Sequence, residues 1–275
     1  MKISHIINIT EITDQKKASN LHIAQPVTMH SMVTAKESAE KSVDVELVAI
    51  WHYSEQIAPL PEFKIAPQLE KYGWEYIPSL RNHPVKPLPR LADIINNHFQ
   101  NTDADYLIYT NLDIGLYPGF YLRVKELIEK GYDALCINRI TLPETFSGHQ
   151  LDETNMMLIY GIDGERHPGI DCFIFKRKIV PQLDLGNVVI GFPPIGMVLK
   201  HQIEKHSQNF AWIKNERLTF HLGNDQAWRE SLSPYQAANL DAASGRYEPC
   251  LKTSLSQRIR RKALKIIKSF DDEEF

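Results

Sequence analysis

Three polar side chains lie beside apolar runs that have the character of buried strands. Asp113 ends the run 106–113, Asp171 directly precedes the run 172–175, and His221 follows a third apolar run. Sheets of α/β proteins bind their ligands where buried strands end. These three residues are therefore the candidates for a catalytic or ligand-binding site.

Asp113 follows the polar step Thr110–Asn111 and has two interpretations. A hard divalent cation that carries a phosphate needs only one or two carboxylates, because water and substrate oxygens fill its remaining positions. The segment therefore suits a metal–diphosphate site. The alternative is a turn after the strand, in which Asp113 caps the backbone.

The two downstream residues also allow a chemical and a structural interpretation. The imidazole of His221 suits manganese and related metals, and a ligand from a second strand end would close a metal site. A single histidine among eleven in the chain can equally be structural. Asp171 can act as a general base on a sugar hydroxyl, or it can be a polar residue that begins a strand.

The elements that must position these residues alternate between strands and helices. The residue pattern predicts strands at 3–9, 45–51, 106–109, 133–138, 172–175 and 217–220, and helices at 26–41, 91–99, 118–130 and 193–205. This order favours an α/β fold with a mainly parallel central sheet flanked by helices. The proline-rich segment 78–89 is predicted to be a loop, and 141–169 a long substrate loop without regular structure.

Composition limits the function classes. The chain has 275 residues, is 43% hydrophobic and carries a net charge of -3, which is ordinary for a globular protein and lacks the basic excess of nucleic-acid binders. The three cysteines, Cys136, Cys172 and Cys250, are far apart, which argues against a disulfide framework or a zinc site. We expect neither a signal peptide nor a transmembrane helix, and a cytoplasmic location.

The segment 257–270 is basic and has apolar residues at helical spacing. A helix of this kind can lie on an anionic membrane, which would place the protein peripherally at the inner membrane face. It can equally pack on the domain with its basic side in water. The acidic residues 271–274 that come next would weaken the attraction to anionic lipid.

Several common motifs are missing from the sequence. It contains no G-x-x-x-x-G-K-[ST] of a P-loop, no G-x-G-x-x-G after the first strand, and no G-x-S-x-G elbow. The missing motifs argue against a P-loop nucleotide-binding domain, a dinucleotide-binding fold and a nucleophile elbow.

The combined pattern resembles the GT-A glycosyltransferases, which use nucleotide-sugar donors. The segment 104–114 is similar to their central strand and its metal-binding D-x-D position, and 118–121 with the next helix is similar to the segment after that strand in the family. The segment 167–175 is similar to their acceptor-side turn and strand, and 220–225 to a C-terminal histidine element that completes the metal site in some members. The resemblance covers roughly residues 1–230.

The resemblance implies a set of roles. Asp113 and His221 would bind a divalent metal, manganese or magnesium, and Asn111 and Asp113 would contact the donor. Asp171 would be the catalytic base or hold the acceptor. Arg90, or Arg81 or Lys86 in the proline-rich loop, would contact phosphate. Asn111 stands where the family has its first acidic residue, so metal affinity would be lower or catalysis lost.

We therefore expect residues 1–250 to form one GT-A-like catalytic domain, with 251–275 as a basic helix and acidic tail. The expected function is a hexosyltransferase-like transfer from a nucleotide-diphosphate sugar to a glycan or other hydroxyl acceptor. The alternative is a catalytically weakened domain that binds nucleotide or glycan. A sugar-phosphate nucleotidyltransferase is less favoured, because residues 9–25 contain no Gly and no Arg.

Overall fold

The structure is a computed structural model, and it describes residues 1–12, 20–80, 88–223 and 234–247. Its strands are β1 (Lys2–Asn8), β2 (Asp44–Ile50), β3 (Phe63–Ile65), β4 (Tyr106–Thr110), β5 (Gly115–Leu116), β6 (Ala134–Leu142), β7 (Thr145–Phe146), β8 (His149–Gln150), β9 (Glu165–Lys176), β10 (Phe210–Ile213) and β11 (Thr219–Leu222). Its helices are α1 (Leu21–Ala39), α2 (Leu91–Gln100), α3 (Phe120–Glu129), α4 (Met156–Gly161), α5 (Ile195–His206) and α6 (Pro234–Ala242), with short 3-10 helices at Gly73–Tyr76, Pro78–Leu80, Glu153–Asn155 and Arg177–Gln182.

A nine-stranded sheet forms the centre of the molecule, in the order β3-β2-β1-β4-β9-β6-β11-β5, with β10 pairing beside β6. Strands β1, β2, β3 and β4 pair in parallel, and β6 pairs in parallel with β10 and β11. Strand β9 is antiparallel to both β4 and β6, so all strands of this sheet except β9 and β5 run in the same direction. The sheet is therefore mainly parallel, as predicted.

Helices cover both faces of the sheet. One apolar core lies between the sheet and helices α1 and α3, where Met32 and Phe120 are fully buried. A second core lies on the other face under α2 and α5, with Ile94 and Leu199 fully buried. Burial on both faces explains why the central strands are continuous apolar runs rather than alternating ones.

The helix predicted at 26–41 begins earlier in the structure, at Leu21, so that Pro26 lies inside α1 and not in its first turn. Pro26 is the sixth residue of α1 and has no amide hydrogen, so the helix lacks one intrahelical hydrogen bond at this position. The last predicted strand is also shifted: β11 covers Thr219–Leu222, so His221 lies within a strand and not after one.

The prediction of a structureless loop at 141–169 is wrong. Strand β6 extends to Leu142, the hairpin β7–β8 and helix α4 come next, and β9 begins at Glu165. The physical reason is a small apolar core that anchors the segment, in which Leu151 and Ile159 are fully buried with Phe220. The polar composition hid these few anchoring residues.

Some expectations fall outside the described residues. They include the basic segment 257–270, the acidic tail, Cys250 and most of the proline-rich loop. Within the described ranges, no helix is long and apolar enough to cross a membrane.

His5 in β1 and His98 in α2 are almost completely buried. His5 shares hydrogen bonds with the hydroxyls of Tyr121 (2.8 Å) and Thr110 (3.0 Å), and His98 with the hydroxyl of Ser4 (2.8 Å). Burial lowers the pKa of His98 to about 3 and the pKa of His5 well below its ordinary value. Both residues are therefore neutral in the folded protein at neutral pH.

Acid should destabilise the protein through these histidines before its carboxylates titrate. A histidine with a depressed folded pKa binds a proton only after unfolding, so stability falls as pH drops below about 6.5. Between pH 7 and pH 5 we expect His98 alone to reduce the free energy of unfolding by about 2 kcal/mol. Denaturant unfolding at both pH values measures this, and His98→Gln should lose the part of the pH dependence that belongs to His98, while the part due to His5 remains. The partly exposed His30→Gln is the control; equal pH dependence in wild type and His98→Gln would contradict the assignment.

Candidate active site

Strand direction brings the predicted site residues to one edge of the sheet. Strands β4, β6 and β11 end at this edge because they run in the same direction. The antiparallel strand β9 passes the same edge near Asp171, whose carbonyl accepts a bond from the amide of Asn111 at 3.4 Å. A cleft of about 490 Å³ opens there, and Asn111, Asp113, Asp171 and His221 all line it.

Asp113 and His221 form a direct pair. The Nε2 atom of His221 lies 3.2 Å from Oδ2 of Asp113, and its Nδ1 lies 2.9 Å from the carbonyl oxygen of Gly223. Burial opposes the charged imidazole, but the bond to Asp113 outweighs it and raises the pKa of His221. Burial likewise opposes the Asp113 carboxylate, and the bond to His221 outweighs it and lowers the pKa of Asp113. The two shifts therefore both favour a protonated imidazole beside an ionised carboxylate.

The two side chains fit a divalent cation by their chemistry. The Oδ1 atom of Asp113 is buried and has no hydrogen-bond partner in the described part of the chain. The carbonyl of Gly223 fixes the proton of His221 on Nδ1, which leaves Nε2 as the atom able to bind a metal once its proton is lost. The described residues contain no group of three or more His, Cys, Asp or Glu arranged for a metal, so any cation here would need donors from a ligand.

Asp171 lies at a bulge between β9 and β6. The register places Ile137 opposite Cys172 and Asn138 opposite Ile170, so Asp171 has no direct partner on β6. Bulges of this kind redirect a side chain, and they are common beside active sites. The bulge lets the Asp171 carboxylate reach the cleft from within a strand.

Two donors hold the Asp171 carboxylate. Arg139 forms an ion pair with its Oδ2 through Nη1, and the side-chain amide of Asn111 donates to its Oδ1 at 3.1 Å. Burial raises the pKa of Asp171, Arg139 opposes this, and the nearby charge of Asp113 adds to the rise. A buried carboxylate with a raised pKa is a stronger base than an exposed one, which suits proton transfer.

Asn111 faces Asp171 and not the Asp113–His221 pair. Its Oδ1 accepts the hydroxyl of Tyr109 at 3.1 Å while its amide nitrogen donates to Asp171. A carboxylate at position 111 could not donate to Asp171 and would repel it, because two carboxylates at that distance cannot both stay ionised. The neutral amide is therefore the side chain that this neighbour requires.

The structure does not bring Arg90 to the cleft lining. Its guanidinium bonds Asp93 (2.5 Å) and Asn187 (2.9 Å) and lies over the ring of Tyr76 at 3.7 Å. These contacts fix the beginning of α2 and explain why the side chain is turned away from the cleft. Arg81 and Lys86, the other phosphate candidates, lie outside the described residues.

Sequence reasoning missed Arg139, which lines the cleft, and an apolar segment at 190–197. The signal for Arg139 was available, since a lone arginine inside the apolar strand 134–142 needs a buried anionic partner. The segment 190–197 carries no polar side chain and gave no such signal.

Comparisons with known proteins give matches to solved structures alone. No protein-family model and no curated protein matches the sequence. TarS 1–349 from S. aureus, solved with UDP-GlcNAc, is 11% identical with a TM-score of 0.47, over 96% of this chain and 72% of that one. Glucosyl-3-phosphoglycerate synthase from Mycobacterium tuberculosis, solved with Mn2+, UDP and phosphoglyceric acid, is 12% identical with a TM-score of 0.47, over 90% and 80%.

A third structure, described as a mycobacterial protein, is 10% identical with a TM-score of 0.50, over 90% of this chain and 74% of that one. The fold is GT-A-like. At these identities the likeness concerns the fold alone, and the fold class expected from the sequence is confirmed. The activity has to be argued from the cleft itself.

Proposed function

We propose that this protein is a glycosyltransferase that moves a sugar from a nucleotide-diphosphate donor to a hydroxyl acceptor. The observation that carries the proposal is the arrangement of two partly buried charge pairs in one cleft. Asp113 with His221 presents a site for a cation, and Asp171 with Arg139 presents a base. Transfer of a sugar needs both functions, one at the leaving group and one at the attacking hydroxyl.

The donor end of the cleft would be held by Asp113 and His221. The unpartnered Oδ1 of Asp113 and the Nε2 of His221 would bind manganese or magnesium. A bound cation of this kind neutralises the charge that develops on a leaving diphosphate. In this role a bound cation would itself favour the negative charge of Asp113, and His221 would bind as a neutral imidazole after losing the proton on Nε2.

The acceptor end would be served by Asp171. Its carboxylate would accept the proton of the acceptor hydroxyl as that oxygen attacks the sugar. Arg139 and Asn111 fix the orientation of the carboxylate. Arg139 also opposes the rise in pKa that burial causes at Asp171, which favours the ionised carboxylate that a base requires.

Loss of Asp113 should abolish the dependence of nucleotide binding on metal. UDP is the first nucleotide to test, because it is the one named for the TarS and glucosyl-3-phosphoglycerate synthase structures. In calorimetry with UDP and manganese we expect Asp113→Ala to weaken binding at least tenfold, since one to two kcal/mol is a usual contribution of such a contact. Asp163→Ala, at a fully exposed aspartate, is the matched control. Equal binding by wild type and Asp113→Ala would rule out the metal role.

Substitution of the base should remove transfer and spare donor binding. Asp171→Asn keeps the size of the side chain and loses its basicity, so we expect turnover to fall by about 10²–10⁴-fold, the usual contribution of a general base. The measurement is product formation with a nucleotide-sugar that the wild type uses, beside UDP binding by calorimetry. Turnover within threefold of wild type would show that Asp171 is not the base.

A second candidate function is binding without transfer. It is favoured by Asn111, which contributes no carboxylate to the cation site, and by the small number of donors in the described residues. Measurable nucleotide binding without turnover across a broad panel of nucleotide-sugars would favour this alternative. Turnover with any member of the panel would reject it.

A further inference from the structure

One wall of the cleft is apolar without interruption. Residues 190–197, Ile-Gly-Phe-Pro-Pro-Ile-Gly-Met, all line the cleft and carry no polar side chain, and we call them the apolar wall. Phe192, Ile195 and Met197 are partly exposed there. The polar side chains of the cleft come from elsewhere, mainly from the ends of the strands.

Three of the six backbone amides of the apolar wall are used within the protein. The amides of Ile190, Ile195 and Met197 donate to the carbonyls of Pro89 (3.0 Å), Phe192 (3.4 Å) and Pro194 (2.9 Å). Pro193 and Pro194 have no amide hydrogen to offer. The wall therefore offers a ligand no side-chain hydrogen-bond donor and at most the three amides of Gly191, Phe192 and Gly196.

Asn239 fixes the wall to the rest of the protein. Its side chain is fully buried, accepts the amide of Val189 at 2.8 Å, and donates to the carbonyls of Val189 (2.8 Å) and Phe192 (3.1 Å). The ring of Phe192 also stacks on that of Tyr235, with centroids 5.6 Å apart. The wall is thus a fixed surface whose shape is set before any ligand arrives.

Such a surface selects against a ligand covered with hydroxyls. A hydroxyl that leaves water without finding a partner costs free energy, and the wall has few partners to give. Apolar surface gains free energy when it leaves water, and a methionine adapts to different apolar shapes. The wall therefore fits the apolar part of a ligand.

We propose that the acceptor is an alcohol whose hydroxyl is carried on an apolar body, either an alkyl chain or an aromatic ring, and not an oligosaccharide. This inference rests on the proposed function. The apolar body lies on the wall and the hydroxyl lies at Asp171. The acceptor oxygen bonds to the anomeric carbon, its proton passes to the Asp171 carboxylate, and the bond from the anomeric carbon to the diphosphate oxygen breaks, releasing the nucleoside diphosphate.

A series of alcohols tests the wall directly. We use ligand-observed NMR titrations of the full chain, with UDP and manganese present, against 1-butanol, 1-hexanol and 1-octanol, then phenol and 4-butylphenol, with maltotriose as the sugar probe. Affinity should rise about fourfold per methylene group, as expected for burial of an alkyl chain. Stronger binding of the alkanols would identify an alkyl body, and stronger binding of the phenols would identify an aromatic one. Tighter binding of maltotriose than of 1-octanol, or no dependence on chain length, would overturn the proposal.

Two wall variants and a matched control locate the binding. Met197→Gln and Ile195→Thr each place a polar group in the wall, and we expect each to weaken 1-octanol binding at least fivefold. Met157→Gln is the control, because Met157 is 82% exposed on α4 and does not line the cleft. Using two wall variants protects the test against misfolding of one. Unchanged 1-octanol binding in a folded wall variant would overturn the proposal.

The same titrations test the proposed apolar acceptor independently of the proposed glycosyltransferase activity. Each sample is also titrated with UDP and manganese. Chain-length-dependent alcohol binding without UDP binding would keep the apolar ligand and reject the glycosyltransferase. UDP binding without alcohol binding by the full chain would keep the donor site and reject the apolar acceptor.

Discussion

The antiparallel insertion of β9 between β4 and β6 is the constraint on which the cleft depends. Parallel strands alone would place only their carboxyl ends at the functional edge. Because β9 runs the other way, a residue from inside a long strand also reaches that edge, opposite the end of β4. The bulge at Asp171 then turns its side chain into the cleft, where it meets Asn111 and Arg139.

Charge compensation decides which side chains this edge can hold. Asp113 and Asp171 are both partly buried, and each has its own cationic partner, His221 for the first and Arg139 for the second. Without a partner, a buried carboxylate would become protonated or destabilise the fold. Asn111 belongs to this balance, since its amide bonds Asp171 without adding a third negative charge. Its neutrality is thus explained by its contact with Asp171, independently of how strongly a cation binds nearby.

The sequence was sufficient to predict the strands and helices whose apolar residues follow a regular pattern. It was not sufficient where a few buried residues determine the structure of a segment. The strand at 106–109, the helix at 91–99 and the mainly parallel sheet agree with β4, α2 and the observed pairing. The prediction for the segment 141–169 was wrong because only four buried apolar residues hold this polar stretch in place, and they follow no repeating pattern: Leu142, Leu151, Ile159 and Ile162.

For the site, the sequence predicted Asp113, Asp171 and His221 beside strand ends. In the structure Asp171 and His221 lie within strands β9 and β11, and all three residues line one cleft. It could not place the Arg90 side chain, because the direction of that side chain depends on contacts with Tyr76 and Asn187, which are far from Arg90 in the sequence. It could not pair Arg139 with Asp171 either, since their contact depends on a bulge between β6 and β9. Periodicity contains no information about such irregular pairing.

The central claim is that one cleft holds a cation–diphosphate site on Asp113 and His221 beside the base Asp171. A crystal structure with UDP and manganese, with the metal located by its anomalous scattering, tests it most directly. The account predicts a manganese peak bound by Asp113 and His221, with the diphosphate on the metal and Asp171 facing the space beyond the phosphates. Manganese and UDP bound outside this cleft, or UDP bound there while Asp113 still bonds His221 with no metal between them, would contradict it.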